Sequence, residues 1–493
     1  MTMKTGPSKP AKPPMLDLEI IMTNRCNQAC SYCYTRHLRG GAENRTLTFP
    51  QLKRFVDLVS RDPKMRRAFT GPVKLEFSGG EPLLEFDLVK RTIDYIRSER
   101  LDFELAVATN GTLLTKERAD YFFRNGVLAR VSLDGIKPVN DLHRKFADGG
   151  RGSVFEAVTA NLRKGYPTPE RMDRCCITPT LTPETVDALP EIVDFFRHDL
   201  GARTIPVGLE AYGIWERADV ERFRLALRRM IDGFLGALNP GSDMKRTEAA
   251  FAEFPLRREL KSEDDGRECT SGTLALHYDG FFYPSPDFVT APPPIDPKYR
   301  IGDLESGIDL GRLRDILSPM LDEVSKKCRY RSGPRNPVEG YYWGLVNGYP
   351  RKKIDRILES TSELNRAFQE ESRYYLSIFA IYKSLYMTPG FGDFTHLPRH
   401  RGDKEMRSLR LVVRPDCSTV KLRERLDPFL YSPGERKELA LECAGEPASC
   451  RELADGMALY AAMKARYLGK ELRLAGAFRP GPRPAQSPSL PAD

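Results

Sequence analysis

The segment IIMTNRCNQACSYCYTR, residues 20–36, is the stretch from which the fold is inferred. It begins as the end of an apolar strand and continues as a loop that carries Cys26, Cys30 and Cys33. Three thiolates within eight residues are soft ligands of the kind that bind iron–sulfur clusters. Three ligands on a four-iron cluster leave one iron open, and chemistry takes place at open metal positions. The spacing therefore predicts a 4Fe-4S cluster with one iron accessible to another ligand.

A zinc site is the alternative interpretation of the same three cysteines. It needs a fourth ligand from elsewhere in the chain, and His37 is the nearest candidate. The chain would then be a zinc-binding interaction protein without redox chemistry, and it would be colourless when purified.

Residues 15–236 alternate between short apolar strands and amphipathic helical patterns. The strands are predicted at residues 16–22, 73–77, 103–108, 128–133, 175–179 and 204–209. Serial strand–helix units imply a parallel sheet with helical crossovers, because parallel neighbours require long connections. Six units predict an α/β fold, a partial (β/α)6 TIM-like barrel with its chemistry at the carboxyl ends of the strands.

Motifs whose residues are suited to ligand binding follow three further strands, in addition to the cysteine loop that follows the first strand. They are Gly79, Gly80 and Glu81 after the second strand, Thr109 and Asn110 after the third, and Ser132 and Asp134 after the fourth. Glycines permit close backbone approach, and a buried carboxylate can bind an ammonium group. The alternative is that these residues only form turns and cap helices. Their common position predicts one site at one edge of the sheet.

The ordered motifs CNQACSYCY, FSGGEPLL, ATNGTLL, SLDG, HR and GSVF, within residues 15–215, resemble the radical S-adenosylmethionine (SAM) enzymes. The resemblance is greatest to the subgroup that matures peptides and sulfatases. It implies that SAM chelates the open iron, accepts one electron and yields a 5′-deoxyadenosyl radical that abstracts a hydrogen atom from the substrate. It also implies a SAM-binding role for the residues named above and for two more, Tyr32 and Arg144. Arg144 would pair with the SAM carboxylate, the alternative being a surface arginine.

Residues 237–350 resemble the SPASM extension of that subgroup, which usually carries auxiliary clusters. Cys269, HYDGFFYPSPDF, IGDLESG and Cys328 keep its order, but Ser285 stands where a cysteine is expected. Later cysteine positions are held by Arg331, Pro337 and Tyr341. These side chains cannot replace thiolates, so we expect a degenerate extension without an auxiliary cluster. The alternative is a second cluster built from Cys269, Cys328, Cys417, Cys443 and Cys450.

One acidic residue of the extension is a candidate catalytic base. In related sulfatase-maturing enzymes a carboxylate beside the lost cysteine accepts a proton, and Asp287 lies one residue from that position. The resemblance therefore predicts Asp287 as the general base.

The remaining sequence places few constraints on function. The 493 residues carry a net charge of +9, with scattered basic residues that do not interleave with aromatics as in nucleic-acid-binding modules. Residues 351–477 are predicted to be mainly helical, and residues 1–14 and 478–493 to be flexible or disordered tails. No apolar run is long enough to span a membrane, and we expect a cytoplasmic location.

The function predicted from the resemblance is hydrogen-atom abstraction from a peptide or protein, leading to maturation by crosslinking, epimerisation or oxidation. The predicted partners are that substrate and a low-potential electron donor such as flavodoxin or ferredoxin. The alternative within the same chemistry is a small-molecule substrate, such as a sugar or cofactor precursor.

Overall fold

A computed structural model describes most of the chain in two compact units. It describes residues 16–33, 45–68, 73–149, 152–203, 205–237, 273–290, 295–330, 333–386, 406–414, 416–432, 436–444, 448–467 and 470–475. The first unit comprises residues 1–230 and 253–367, and the second comprises residues 231–252 and 368–493. His37, Cys269 and Arg331 lie outside the described residues.

The first unit is organised around a nine-stranded sheet with the order β11-β10-β9-β8-β1-β2-β3-β4-β5. Its strands and two short ones beside it are β1 Leu16–Ile21, β2 Val73–Ser78, β3 Phe103–Thr109, β4 Leu128–Ser132, β5 Cys175–Thr178, β6 Thr180–Leu181, β7 Gly208–Leu209, β8 Thr273–His277, β9 Phe281–Tyr283, β10 Gly302–Asp303 and β11 Gly307–Ile308. The six strands from β8 to β5 in that order run parallel. This arrangement confirms the predicted parallel sheet of the partial barrel.

Helices connect the parallel strands β1 to β5, and further helices follow β6, β7 and β11 along the chain. They are α1 Phe49–Arg61, α2 Pro63–Ala68, α3 Phe86–Ser98, α4 Lys116–Arg124, α5 Lys137–His143, α6 Val154–Gly165, α7 Pro169–Met172, α8 Leu189–His198, α9 Arg217–Ala237, α10 Leu310–Lys327, α11 Pro337–Val346 and α12 Arg351–Tyr386. Helix α1 shows why the sequence folds this way locally. Gln51 accepts a hydrogen bond from the Thr48 backbone N–H (2.9 Å), and apolar residues at helical spacing are buried.

The prediction of a sixth strand in the same sheet was wrong. Among the described residues of this stretch only Gly208 and Leu209 form a strand, and it pairs with β6 in a separate two-stranded sheet. Strand β5 ends at Thr178, immediately before Pro179. Proline has no N–H to donate, so the ladder cannot continue through it, although the Pro179 carbonyl accepts a hydrogen bond from Gly208 N–H (3.0 Å).

The predicted hairpin in LALHYDGFFYP is confirmed as β8 and β9, which pair antiparallel around a turn at Gly280. The sequence did not show that β8 also pairs with β1, in parallel and in the register Glu19 to Ala275. Through this pairing the extension adds four strands to the barrel sheet.

The second unit contains strands that the prediction of a mainly helical region at residues 351–477 did not include. Strands β12 Met406–Val413, β13 Arg436–Cys443 and β14 Glu471–Leu474 form a parallel sheet, with helices α13 Thr419–Tyr431 and α14 Ala448–Tyr467 as the connections. Buried Leu411 and Val413 occupy alternate positions on β12, as do buried Lys437 and Leu439 on β13, which is the period of a strand rather than of a helix. Among the described residues of this region, helix still exceeds strand.

Candidate active site

The carboxyl ends of the parallel strands surround a cavity of about 310 Å³. Most of the residues predicted as site residues line it, namely Cys26, Cys30, Tyr32, Cys33, Gly79, Gly80, Thr109, Asn110, Ser132 and Arg144. Three predicted residues are not among its lining: Glu81, Asp134 and Asp287. The volume is in the range of cavities that hold small ligands and cofactors.

The cysteine loop contributes all three thiols to this cavity. The Cys26 sulfur accepts hydrogen bonds from Gln28 N–H (3.4 Å) and from the Asn110 side-chain amide (3.9 Å). Such N–H donors stabilise a thiolate and tune a bound cluster. Within the described part of the chain, no three His, Cys, Asp or Glu side chains are grouped closely enough to hold a metal ion. The fit to a cluster therefore rests on the thiol donor set and the shared cavity.

Gly79 and Gly80 hold the cysteine loop against the end of β2. Gly80 N–H donates to the Thr23 carbonyl (2.8 Å), and the next residue donates to the Arg25 carbonyl (2.8 Å). A Cβ on Gly80 would lie 2.1 Å from the Arg25 carbonyl oxygen, and one on Gly79 would lie 2.6 Å from the Thr23 oxygen. The close backbone approach that glycine permits is thus to the cysteine loop itself.

Glu81 joins the ends of β2 and β3. Its carboxylate is fully buried and accepts hydrogen bonds from Thr109 Oγ1 (2.7 Å), Asn110 N–H (2.7 Å) and Leu83 N–H (2.9 Å). Burial raises the pKa of Glu81 to about 6, although these hydrogen bonds lower it. In this structure the carboxylate organises the backbone around the cavity rather than facing into it.

Asn110 ties the end of β3 to the cysteine loop. Its amide donates to the Asn27 side chain (2.8 Å), and its oxygen accepts from Thr112 N–H (3.1 Å). The latter bond is the turn contact expected of an asparagine at this position. The hydrogen bond to Asn27 places Asn110 between the cysteine loop and the cavity.

Arg144 and Asp134 form a buried ion pair at the wall of the cavity. The Arg144 Nε lies 2.9 Å from Asp134 Oδ2, and their side chains are 7% and 1% exposed. Asp134 also accepts a hydrogen bond from the Tyr32 hydroxyl (2.6 Å). Burial alone would lower the pKa of Arg144, but the Asp134 charge gives a net upward shift. The resemblance assigned Arg144 to the SAM carboxylate; here its guanidinium is bound to a carboxylate of the chain.

Asp287 is buried behind Tyr212, which lines the cavity. Asp287 accepts hydrogen bonds from Ser285 Oγ (2.6 Å) and from the Tyr212 hydroxyl (3.1 Å). Burial raises the pKa of Asp287, and both hydrogen bonds lower it. Tyr212 therefore links the cavity to Asp287. The sequence analysis did not identify Tyr212, because it lies in no recognised motif.

Glu19 is another cavity residue that the sequence analysis did not identify. It lies in the strand LDLEII, where Asp17 and Glu19 alternate with apolar residues, and this alternation is the available signal. Its carboxylate accepts a hydrogen bond from Ser78 Oγ (2.5 Å).

Cys328, Arg335 and Tyr341 of the extension are buried within the first unit. Cys328 is buried in an apolar cluster with Tyr341, and its thiol donates to the Tyr330 carbonyl (3.2 Å). The buried Arg335 guanidinium donates to the Ala211 carbonyl (2.7 Å) and to Ser360 Oγ (3.2 Å). These contacts hold the loop of Tyr212.

Three of the other cysteines proposed for a second cluster, Cys417, Cys443 and Cys450, belong to the core of the second unit or pack against it. Cys443 and Cys450 are buried there, and Cys417 packs against the same core. The Cys450 thiol donates to the Val413 carbonyl (2.9 Å). The absence of an auxiliary cluster remains a prediction.

Residues 20–196 match the family described as the radical SAM superfamily. This chain carries a radical SAM domain. The match favours the iron–sulfur interpretation of the three cysteines over the zinc interpretation.

Several characterised proteins resemble parts of this radical SAM domain. The radical SAM cyclopropyl synthase TigE of Paramaledivibacter caminithermalis is 27% identical over 142 residues, 27% of this chain and 29% of that protein. The cysteine-type anaerobic sulfatase-maturating enzyme of Clostridium novyi is 25% identical over 148 residues, 29% and 37% of the two chains. The GTP 3′,8-cyclase of Acidothermus cellulolyticus is 33% identical over 160 residues, 31% and 41% of the two chains. Each match spans less than half of the relative.

The structure also resembles the solved structure of native anSMEcpe with bound AdoMet and Cp18Cys peptide. The TM-score is 0.52 at 17% identity, covering 74% of this chain and 100% of that chain. At this identity the likeness shows the fold. No helix among the described residues has the length and apolarity needed to cross a bilayer.

Proposed function

We propose that this protein is a radical SAM enzyme that abstracts a hydrogen atom from a peptide or protein substrate. The observation that carries the proposal is the cavity at the strand ends, where the three cysteines of a radical SAM domain meet Gly79, Gly80 and Asn110. When bound, a 4Fe-4S cluster with SAM supplies the electron that generates the 5′-deoxyadenosyl radical.

The residues of the chain have separate roles in this proposal. Cys26, Cys30 and Cys33 would hold the cluster, and their loop is kept in place by Gly79 and Gly80, which follow β2. Backbone and side-chain polar groups at Thr109, Asn110 and Ser132 would bind SAM within the cavity. Arg144 lies at one wall of the cavity, where Asp134 already neutralises its charge.

We further propose that Asp287 accepts a proton leaving the substrate, with Tyr212 between them. The Tyr212 hydroxyl is bonded to Asp287 and belongs to a residue of the cavity wall. A buried carboxylate whose pKa is raised is a stronger base than a solvated one, which suits a proton acceptor.

A peptide substrate is supported by the peptide bound in the solved neighbour and by the sulfatase-maturating relative. A small-molecule substrate is the second candidate, and the match to GTP 3′,8-cyclase at 33% identity favours it. A low-potential donor such as flavodoxin or ferredoxin would supply the electron in either case.

The test is SAM cleavage by anaerobically reconstituted protein reduced with dithionite. We expect 5′-deoxyadenosine and methionine in equal amounts, and neither product with Cys30→Ala. Formation of S-adenosylhomocysteine in place of 5′-deoxyadenosine would contradict the proposal. Peptide and small-molecule fractions from deuterated cells then separate the two substrate classes, because only a substrate transfers deuterium into 5′-deoxyadenosine.

A further inference from the structure

Glu19, on the inward face of the barrel sheet, has no ion-pair partner among the described residues. Glu19 on β1 lies level with Glu76 on β2. Arg130 on β4 pairs with Glu76 (2.7 Å), and Lys74 pairs with Asp17 one layer below (2.9 Å). Within the described ranges, no Lys, Arg or His nitrogen lies within 4.0 Å of the Glu19 carboxylate. The other two carboxylates of these layers therefore have ion-pair partners and Glu19 has none.

Glu19 is also placed to meet a ligand. It lines the cavity, two residues before the end of β1, so it lies about 7 Å below the strand edge. The small side chains of Ala108 and Ser132 line the same cavity and leave space in front of it. The Ser78 hydroxyl bonds to one of its two oxygens, Oε1 (2.5 Å).

The groups around Glu19 make this end of the cavity electronegative. Burial, and then the charge of Glu76, raise the pKa of Glu19 to about 7; Ser78 and Arg130 lower it, and Asp287 raises it further. Glu339, whose pKa burial and Asp287 raise to about 8, interacts with the same group. The cationic lining residue Arg144 is bound to Asp134. A half-buried carboxylate without an ion-pair partner is destabilised, and an arriving cation relieves that cost.

We propose that Glu19 determines specificity in this cavity by pairing with a cationic group of the substrate, a primary ammonium or a guanidinium. The inference rests on the proposed function and adds the chemical class of the substrate. A lysine or arginine side chain of a peptide and the amine of an amino sugar share this chemistry.

The pairing has a pH signature. A cation stabilises the ionised form of Glu19, so binding a cationic probe releases the proton that Glu19 carries below pH about 7. Affinity for a lysine-containing probe, whose ammonium stays protonated in this range, should therefore rise as the pH increases from 6 to 8. Affinity for a neutral probe of the same shape should stay constant, because a neutral probe does not distinguish the protonated from the ionised form of Glu19.

The experiment measures the binding of matched probes to the full chain by ligand-observed NMR. The probes are acetyl-Gly-Lys-Gly-amide against its norleucine counterpart, and glucosamine against glucose. We expect the wild type to bind a cationic probe about tenfold more tightly than its neutral partner, the size of a charged hydrogen bond. Glu19→Gln should remove the preference and its pH dependence. Glu104→Gln, which alters an exposed carboxylate on β3, should retain both.

The outcomes separate this inference from the proposed function. A preference for the lysine peptide indicates a peptide source, and a preference for glucosamine indicates an amino sugar; both support the pairing. No cation preference in the wild type, or a preference that survives Glu19→Gln, overturns it. SAM affinity should be unchanged in Glu19→Gln, and its loss would overturn the assignment to substrate. SAM cleavage is measured independently, so either claim can fail alone.

Discussion

Replacing Gly80 by alanine should displace the cysteine loop and prevent cluster assembly. The added Cβ would lie 2.1 Å from the Arg25 carbonyl oxygen and 2.6 Å from the Arg25 carbonyl carbon. Both are backbone atoms, which cannot turn aside as a flexible side chain can. Overpacking of this kind costs about 1–3 kcal/mol, and here the strain falls on the loop that carries all three cluster cysteines. The measurements are the melting temperature and the iron content after reconstitution.

Gly152→Ala is the matched control for this prediction. Its Cβ would meet the Phe146 ring at 3.5 Å, an ordinary contact distance. We expect this variant to melt and to bind iron as the wild type does. If Gly80→Ala also melted and bound iron as the wild type does, the packing of the glycines against the cysteine loop would not be needed for stability or cluster assembly.

Replacing Arg144 by methionine should destabilise the protein by about 3–5 kcal/mol, because Asp134 would keep a buried charge without its ion-pair partner. The Asp134 side chain is 1% exposed, so solvent screens its charge poorly. Hydrogen bonds from Tyr32 and from Thr180 N–H (3.0 Å) would remain but carry no full charge. Urea unfolding measures the loss.

Two further variants make this test specific. Arg203→Met removes an exposed partner of Asp173, with side chains 56% and 47% exposed, and should cost less than about 1 kcal/mol. Asp134→Asn combined with Arg144→Met should recover part of the loss, because no buried charge remains. Equal losses for Arg144→Met and Arg203→Met would contradict the account of the buried pair.

The positions of the site residues could be predicted from the sequence better than their orientations. Strands with parallel order bring Cys26, Gly80 and Asn110 to one edge whatever the details of packing. Whether Glu81 faces the cavity or the backbone depends on Asn110 N–H, a partner 29 residues away. Arg144 likewise was assigned to a ligand, and its actual partner Asp134 became evident only with the fold.

Pairing between strands far apart in the sequence explains the remaining differences between the predicted and the observed fold. The parallel contact of β8 with β1 joins residues more than 250 positions apart, and no local pattern encodes it. In the strands of the second unit, buried and exposed residues alternate over only a few positions. The helical periodicity of the neighbouring segments obscured this pattern in the sequence. Glu19 became a candidate once the register placed it beside Glu76 and showed that Arg130 was already paired.

The central claim is that Cys26, Cys30 and Cys33 hold one 4Fe-4S cluster in the cavity at the strand ends. The most direct test is the iron and acid-labile sulfide content per chain after anaerobic reconstitution, for the wild type and for Cys30→Ala. The account predicts about four irons in the wild type and their loss in the variant. Zinc in place of iron, or an iron content that Cys30→Ala leaves unchanged, would contradict it.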